Sequence, residues 1–555
     1  MGIAQTPRIA WPAGFIIALV CVASLGCEGS PVIGAGLPDA SRPAPTPFEV
    51  VDTRQTLGLS PNAAGDCLVF TDFDGDGADD LVVEVQDEGL GVYYAGERGG
   101  FRPFTPIETV PPTRGEFIQN CVAADFDDDG RVDLAVLRAS GRVTILGNAS
   151  GTPPEFRELM TTDVLAHASF LRPVDFDRDG RVDLFAGVGY HGEDGDIMCD
   201  DARPVPVCRL ARGAPPSPYL LMRSAAPGVS FSSVALPTPG YSNGAAITDF
   251  DDDGWPELFV SNELGFNALF EADGRARQTT LTDTLGRRGG KAFNQGMGAV
   301  WGDVEGVPCL YNADFGPSEL FCLQPDGSLR NIAAETGIAR RSAFDVAWSP
   351  VFADMNLDGH QDVYVANAVS ASEYDEFVRA VAERGGVKDV TDLLLLGNGA
   401  RGFDAQRVAP MFMHPTMATE VLTAVGDHDG DGRPEVAIAR PSALADARLS
   451  LVTSAASAPG GHWLEVVLAR ASRPGASGNV IGAKVILREG GRVIDWNVVG
   501  SGGGLGSSSL TSHFGLGSRA RIDAIGVRWP DGATEVEWFA GPFAVDRVVR
   551  VVERR

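Results

Sequence analysis

Apolar and polar positions along this chain fall into short blocks. From about residue 48, brief apolar runs are cut by Gly, Asp, Asn and Pro, a pattern that predicts many short strands rather than long helices. One block recurs: acids at alternate positions, a glycine, then an apolar run. It reads DFDGDGADDLVV from Asp72, DFDDDGRVDLAV from Asp125, DFDRDGRVDLFA from Asp175 and DFDDDGWPELFV from Asp249, and returns from Asp354 and Asp427. The tails LVV, LAV, LFA, LFV, VYV and VAI predict buried strands.

A seventh, decayed copy starts at Asp303 in GDVEGVPCLYNADFG, keeping Asp303 and Glu305 and losing the other acids. Successive starts are then 53, 50, 74, 54, 51 and 73 residues apart. The two long intervals carry insertions, HGEDGDIMCDDARPVPVC (191–208) and SASEYDEFVRAVAERGGVKDV (370–390); the apolar spacing of the second predicts a short amphipathic helix. Without them, a unit of about 50 residues recurs seven times, each with a Gly/Asn turn leading to an aromatic, as in GERGGF (96–101). That period, with several strands per unit, predicts propeller blades. From Pro459 the acidic loops stop while alternating strands continue (HWLEVVLA, AKVILREG, AIGVRW), which predicts a separate small β-sandwich. The expected division is a leader over 1–27, a flexible linker over 28–47, a seven-bladed β-propeller over 48–458 and the sandwich over 459–555.

Closely spaced carboxylates repel unless a cation sits among them, and a hard ion taking six to eight oxygens is calcium. Counting from the first Asp, the expected ligands at positions 1, 3, 5, 7 and 9 are Asp72, Asp74, Asp76, Ala78 and Asp80 in the first loop. They are Asp125, Asp127, Asp129, Arg131 and Asp133 in the second, and Asp175, Asp177, Asp179, Arg181 and Asp183 in the third. The fourth offers Asp249, Asp251, Asp253, Trp255 and Glu257. The last two offer Asp354, Asn356, Asp358, His360 and Asp362, then Asp427, Asp429, Asp431, Arg433 and Glu435. Position 7 contributes its carbonyl. An EF-hand is excluded, because position 12, where it needs a bidentate Glu, holds Val83, Val136, Ala186, Val260, Val365 and Ile438. About six structural calcium ions are expected; magnesium, which demands a stricter octahedron, comes second.

Composition now reads differently. A formal net charge of −29 argues against nucleic acid as a partner, and much of it is a metal requirement. Arg8 and the run GFIIALVCVASLG (14–26) resemble a signal peptide. SLGC (24–27) resembles a lipobox, which makes Cys27 a candidate lipid acceptor, although Leu25 and Ser24 depart from the usual pattern. The expected location is outside the cytoplasm: an outer-membrane or cell-surface lipoprotein, periplasmic, or secreted. Cys67, Cys121, Cys199, Cys208, Cys309 and Cys322 remain, an even count that suits disulfides in an exported chain. Cys199–Cys208 and Cys309–Cys322 would close small loops, and Cys67 and Cys121 occupy equivalent places in neighbouring repeats.

The acidic loops resemble those of FG-GAP/VCBS repeats, shared with the propeller of integrin α chains. HWLEVVLA, GNVIGAKVIL, GSGGGLGSSSL, HFGLG and VRWPDGATE follow one another in the order of an ASPIC/UnbV domain. Propeller plus this domain is similar to the cartilage acidic protein 1 family. The resemblance implies metals that brace the blades away from the recognition face. The fifth unit departs from it, and Cys309–Cys322 is expected to brace that blade instead.

GSGGGLGSSS (500–509) lacks the helix and downstream acid of a dinucleotide fingerprint. There is no HExxH and no GxSxG; WPDG (529–532) reads as a turn. His428 and His360, inside acidic loops, read as spacers with side chains turned out. Trp301 and Trp348 are candidates for ligand contact on the propeller face. The expected function is non-enzymatic binding or adhesion by a monomer, toward a protein or glycan. The alternatives are an enzyme of the lyase or hydrolase type with acids and His on the propeller axis, and an accessory role in a biosynthetic cluster.

Overall fold

Each apolar run after an acidic loop forms the second strand of a four-stranded antiparallel sheet, and among the described residues there are seven such sheets before residue 455. These second strands are Asp80–Val85, Asp133–Arg138, Asp183–Val188, Glu257–Asn262, Val307–Asp314, Asp362–Asn367 and Glu435–Ala439. They are buried along nearly their whole length because every sheet is covered on both faces by its neighbours. The computed structural model describes residues 48–554, less 52–56, 61, 86–87, 97–98, 109–116, 150–154, 166, 190–196, 201–206, 211–219, 225–228, 237–239, 264, 274–279, 291–292, 344, 369–390, 411–420, 441–448, 455–460, 471–479, 501–503 and 531–533. The expected leader, tether and helix over 370–390 lie outside the described residues.

The innermost strands precede the loops: Ala63–Thr71, Ile118–Ala124, Ala168–Val174, Ser242–Thr248, Gly296–Val304, Ala347–Ala353 and Leu422–Gly426. Each packs on the next, and the last packs on the first, so the sheets form a ring. Phe48–Val51 supplies the outer strand of the last sheet, antiparallel to Leu449–Ser454, with Phe48 opposite Ser454 and Val51 opposite Leu451. The two ends of this region therefore share one sheet.

Cys67–Cys121 ties the innermost strands of the first two sheets, with Cα atoms 5.1 Å apart. Cys309–Cys322 ties neighbouring strands within the fifth sheet. Cys199 and Cys208 face each other in the register of a two-stranded ladder. In the fifth sheet the acidic loop is replaced by a tight hairpin, with Val304 opposite Val307 and both Glu305 and Gly306 at positive φ.

Beyond residue 461, a three-stranded sheet (Ser512–Gly517, His462–Ala469, Arg547–Val552) and a four-stranded sheet (Arg492–Val498, Lys484–Glu489, Arg521–Arg528, Glu537–Ala544) share a core that includes Val466, Val485, Ile525 and Val551. This sandwich sits on the acidic-loop side of the ring. The run 504–510, which joins it to the ring, enters the axis. Ser507 donates to Leu68 O and its carbonyl accepts from Phe70, both at 2.9 Å; Ser509 donates to Val425 O at 2.8 Å, and Asn120 Nδ2 donates to Leu505 O at 2.8 Å. A Cβ on Gly504 would collide with Ser349 Oγ, and one on Gly506 with the Thr423 carbonyl. Here the Gly/Ser composition serves close backbone approach, and strand Ser512–Gly517 follows rather than a helix.

Two expectations are corrected. Trp301 is 3 % exposed and stacked on Phe250, and Trp348 is buried with its indole nitrogen donating to Ala368 O. Both side chains are large and apolar enough to be held in the core, so neither is offered to a ligand on the surface.

Candidate metal centres

The acidic loops are scaffolded by their own carboxylates. Position 9 begins the second strand, and its carboxylate accepts the amide of position 2. The pairs are Phe73–Asp80 (2.9 Å), Phe126–Asp133 (2.9 Å), Phe176–Asp183 (3.1 Å), Phe250–Glu257 (3.1 Å), Met355–Asp362 (3.0 Å) and His428–Glu435 (3.2 Å). Position 1 follows the innermost strand and accepts the amide of the glycine at position 6. These bonds run from Gly77, Gly130, Gly180, Gly254, Gly359 and Gly432 at 2.7 to 3.0 Å. All six glycines have positive φ, which the turn requires. Position 4 is left-handed in every loop as well, at Gly75, Asp128, Arg178, Asp252, Leu357 and Gly430. Four of those are not glycine, a strained choice that sequence reading missed.

This scaffold draws positions 1, 3 and 9 together. Ligand atoms of Asp72, Asp74 and Asp80 lie within 4.8 Å of one another, as do those of Asp125, Asp127 and Asp133, of Asp175, Asp177 and Asp183, and of Asp249, Asp251 and Glu257. Position 5 is held differently: its carboxylate accepts the amide of position 7, as in Ala78 to Asp76 and Arg131 to Asp129, both at 3.0 Å. Asp76 also meets Arg102 at 3.3 Å, and Asp129 pairs with Arg131. In the sixth copy of the block the group is His428, Asp429 and Glu435. His428 is thus no outward spacer: it is buried, 2.8 Å from Glu435 Oε2, and stacked on Phe101. His360 also has a partner, Glu305 of the decayed copy, at 2.8 Å.

Burial raises the carboxyl pKa values: Asp72 to about 6, Asp125 to about 7, Asp80 and Asp133 to about 8, in each case with neighbouring acids adding to the effect. Asp249 Oδ1 is buried without a hydrogen-bond partner, and Asp74 Oδ2 accepts no hydrogen bond, its nearest cation being Arg102 Nη1 at 3.5 Å. Converging, desolvated carboxylates with orphaned oxygens are a donor set suited to a hard cation, and these clusters could hold metal ions. The fourth loop is partly neutralised from within the protein. Arg528 Nη2 lies 3.0 Å from Asp249, Arg288 2.6 Å from Asp251, and Lys484 2.6 Å from Asp252.

Residues 72–136 and 125–186 match the FG-GAP-like repeat, and residues 474–554 match the model described as ASPIC and UnbV. The chain joins FG-GAP-like repeats to an ASPIC/UnbV domain. A search of curated proteins returned no match. Among solved structures, a lectin from Burkholderia pseudomallei is similar at 11% identity, with a TM-score of 0.44 and 72% of this chain and 97% of that chain covered. BBS1N, crystallised with ARL6DN, is similar at 10% identity, with a TM-score of 0.41 and coverage of 75% and 99%. Sqt1 of Saccharomyces cerevisiae is similar at 9% identity, with a TM-score of 0.38 and coverage of 71% and 96%.

Proposed function

We propose that this is an extracytoplasmic, calcium-stabilised, non-enzymatic binding or adhesion protein, a seven-bladed propeller whose recognition surface is the face turned away from the ASPIC/UnbV domain. About six calcium ions sit in the loops and brace the blades; export precedes binding, and a lipid at Cys27 would tether the protein.

The observation that carries this reading is the unequal use of the two faces. The C-terminal domain and its axial run rest on the acidic-loop face. Strand direction alternates in each sheet, so the turn after each second strand and the entry to each innermost strand lie on the opposite face. Phe117 (60 % exposed), Val164 (53 %) and Phe266 (65 %) are there, three of the five exposed large apolar side chains among the described residues. Exposed aromatics on a loop face suit contact with a protein or with the apolar face of a sugar ring.

A glycan and protein array, screened with and without calcium, tests the reading. Binding that is lost in Phe117→Ser/Phe266→Ser without a change in melting temperature supports it. A double variant that binds like the wild type overturns the choice of face.

A further inference from the structure

Glu465 lies on strand His462–Ala469, directly opposite His513 in the neighbouring strand. His513 Nε2 is 2.7 Å from the carbonyl oxygen of Gly432, so this part of the sandwich rests on the loop that starts at Asp427. Cross-strand neighbours leave a sheet on the same face, which carries Glu465 to that loop too. Glu465 is 6 % exposed, and among the described residues no hydrogen bond or ion pair reaches its carboxylate.

Glu465 lines an inter-domain cavity of ≈ 80 Å³, partly open to solvent, along with Asp79, Asp354, Asp427 and Asp495. Among the described residues no Lys or Arg lines it. Both domains thus present carboxylates to one space, an arrangement that drives them apart unless something positive lies between. Asp79 is the eighth residue of its loop, where the others have Val132, Val182, Pro256, Gln361 and Pro434. An acid at that position occurs only where Glu465 faces it. Ser509 and Thr511 add hydroxyl oxygens to the same wall.

We propose that this cavity holds a divalent cation, bound by Glu465 of the C-terminal domain with Asp79 and Asp427 of the propeller, and that the ion fastens the two domains together. The donors are all oxygen, which selects a hard ion, calcium before magnesium. The proposal rests on the calcium reading above but adds a site that shares Asp427 with the last loop and takes Glu465 and Asp79 from outside the loop ligand sets.

The test compares the intact wild type with Glu465→Gln and Glu465→Lys. Bound calcium is counted by elemental analysis after equilibrium dialysis, and melting is followed with calcium and with chelator. Glu465→Gln should bind about one equivalent fewer per chain and gain less melting temperature from calcium. Glu465→Lys, whose ammonium stands in for the ion, should melt higher than the wild type in chelator. An unchanged calcium count and unchanged gain in Glu465→Gln would mean that the acids share a proton, and would overturn the site while leaving the loop sites intact. A wild type that binds no calcium at all overturns the underlying calcium reading. Should Glu465→Gln fail to fold, the chelator melt of Glu465→Lys decides: no rise over the wild type sinks the proposal.

Discussion

The amide of Asp427 donates to Asp79 Oδ2 at 2.9 Å, and the amide of Asp79 donates to the Asp427 carbonyl at 2.9 Å. The two belong to the first and last acidic loops, so this reciprocal pair lies at the seam of the ring. Ser509 Oγ adds a bond to Asp79 Oδ1 at 2.8 Å, which brings the C-terminal domain into the same contact.

Asp79→Ala should therefore destabilise the chelated protein by about 1–3 kcal/mol, because it strands a buried amide at the seam. Asp79→Asn keeps an acceptor and should cost less. Urea unfolding in chelator measures both; equal losses would show that the acceptor does not matter.

Chelation should lower the melting temperature. An ion that binds only the folded chain, held at a hundredfold excess over its Kd, adds about 2.7 kcal/mol per site. Asp80→Ala should remove part of that gain, since Asp80 both closes its loop and faces Asp72 and Asp74. Calorimetry with and without calcium reads the effect, and a melt indifferent to calcium in the wild type would falsify the metal account.

The metal-free protein should lose stability as pH rises. Burial lifts Asp80 and Asp133 from 3.8 to about 8 and Asp125 to about 7. The folded state then holds more protons than the unfolded state between about pH 4 and pH 8, so stability is present at the acid end and is lost across that window as pH climbs. Calcium replaces those protons, and its stabilising increment should grow over the same range. Melts in chelator at several pH values test the sign; a curve that rises toward pH 8 contradicts it.

Gly506→Val should expel the axial run, because a side chain there meets the Thr423 carbonyl. Clashes of this kind typically cost about 1–3 kcal/mol. Urea unfolding that splits into two transitions, together with faster proteolysis near residue 506, is the expected outcome.

The second strands and the turn glycines were legible in the sequence because both are local: an apolar run reports burial, and a glycine at position 6 reports a left-handed turn. The convergence of positions 1, 3 and 9 was legible for the same reason, since nine residues of loop bring them together. The inward turn of His428 was not, because its partners Gly99 and Phe101 come from the other end of the ring. Nor was the role of 504–510, whose Gly/Ser composition fits a surface turn until Leu68, Asn120 and Val425 are seen around it. Trp301 was misjudged because nothing in its immediate sequence shows that Phe250, one sheet away, stacks on its ring.

The outer strand of the last sheet is drawn from Phe48–Val51. A polypeptide emerging from the ribosome makes that segment some four hundred residues before its mate, Leu449–Ser454. No nascent fragment ending before Leu449 can complete the last sheet. Throughout synthesis and any passage across a membrane, that strand waits with an open edge, available to a chaperone or to another copy of the chain.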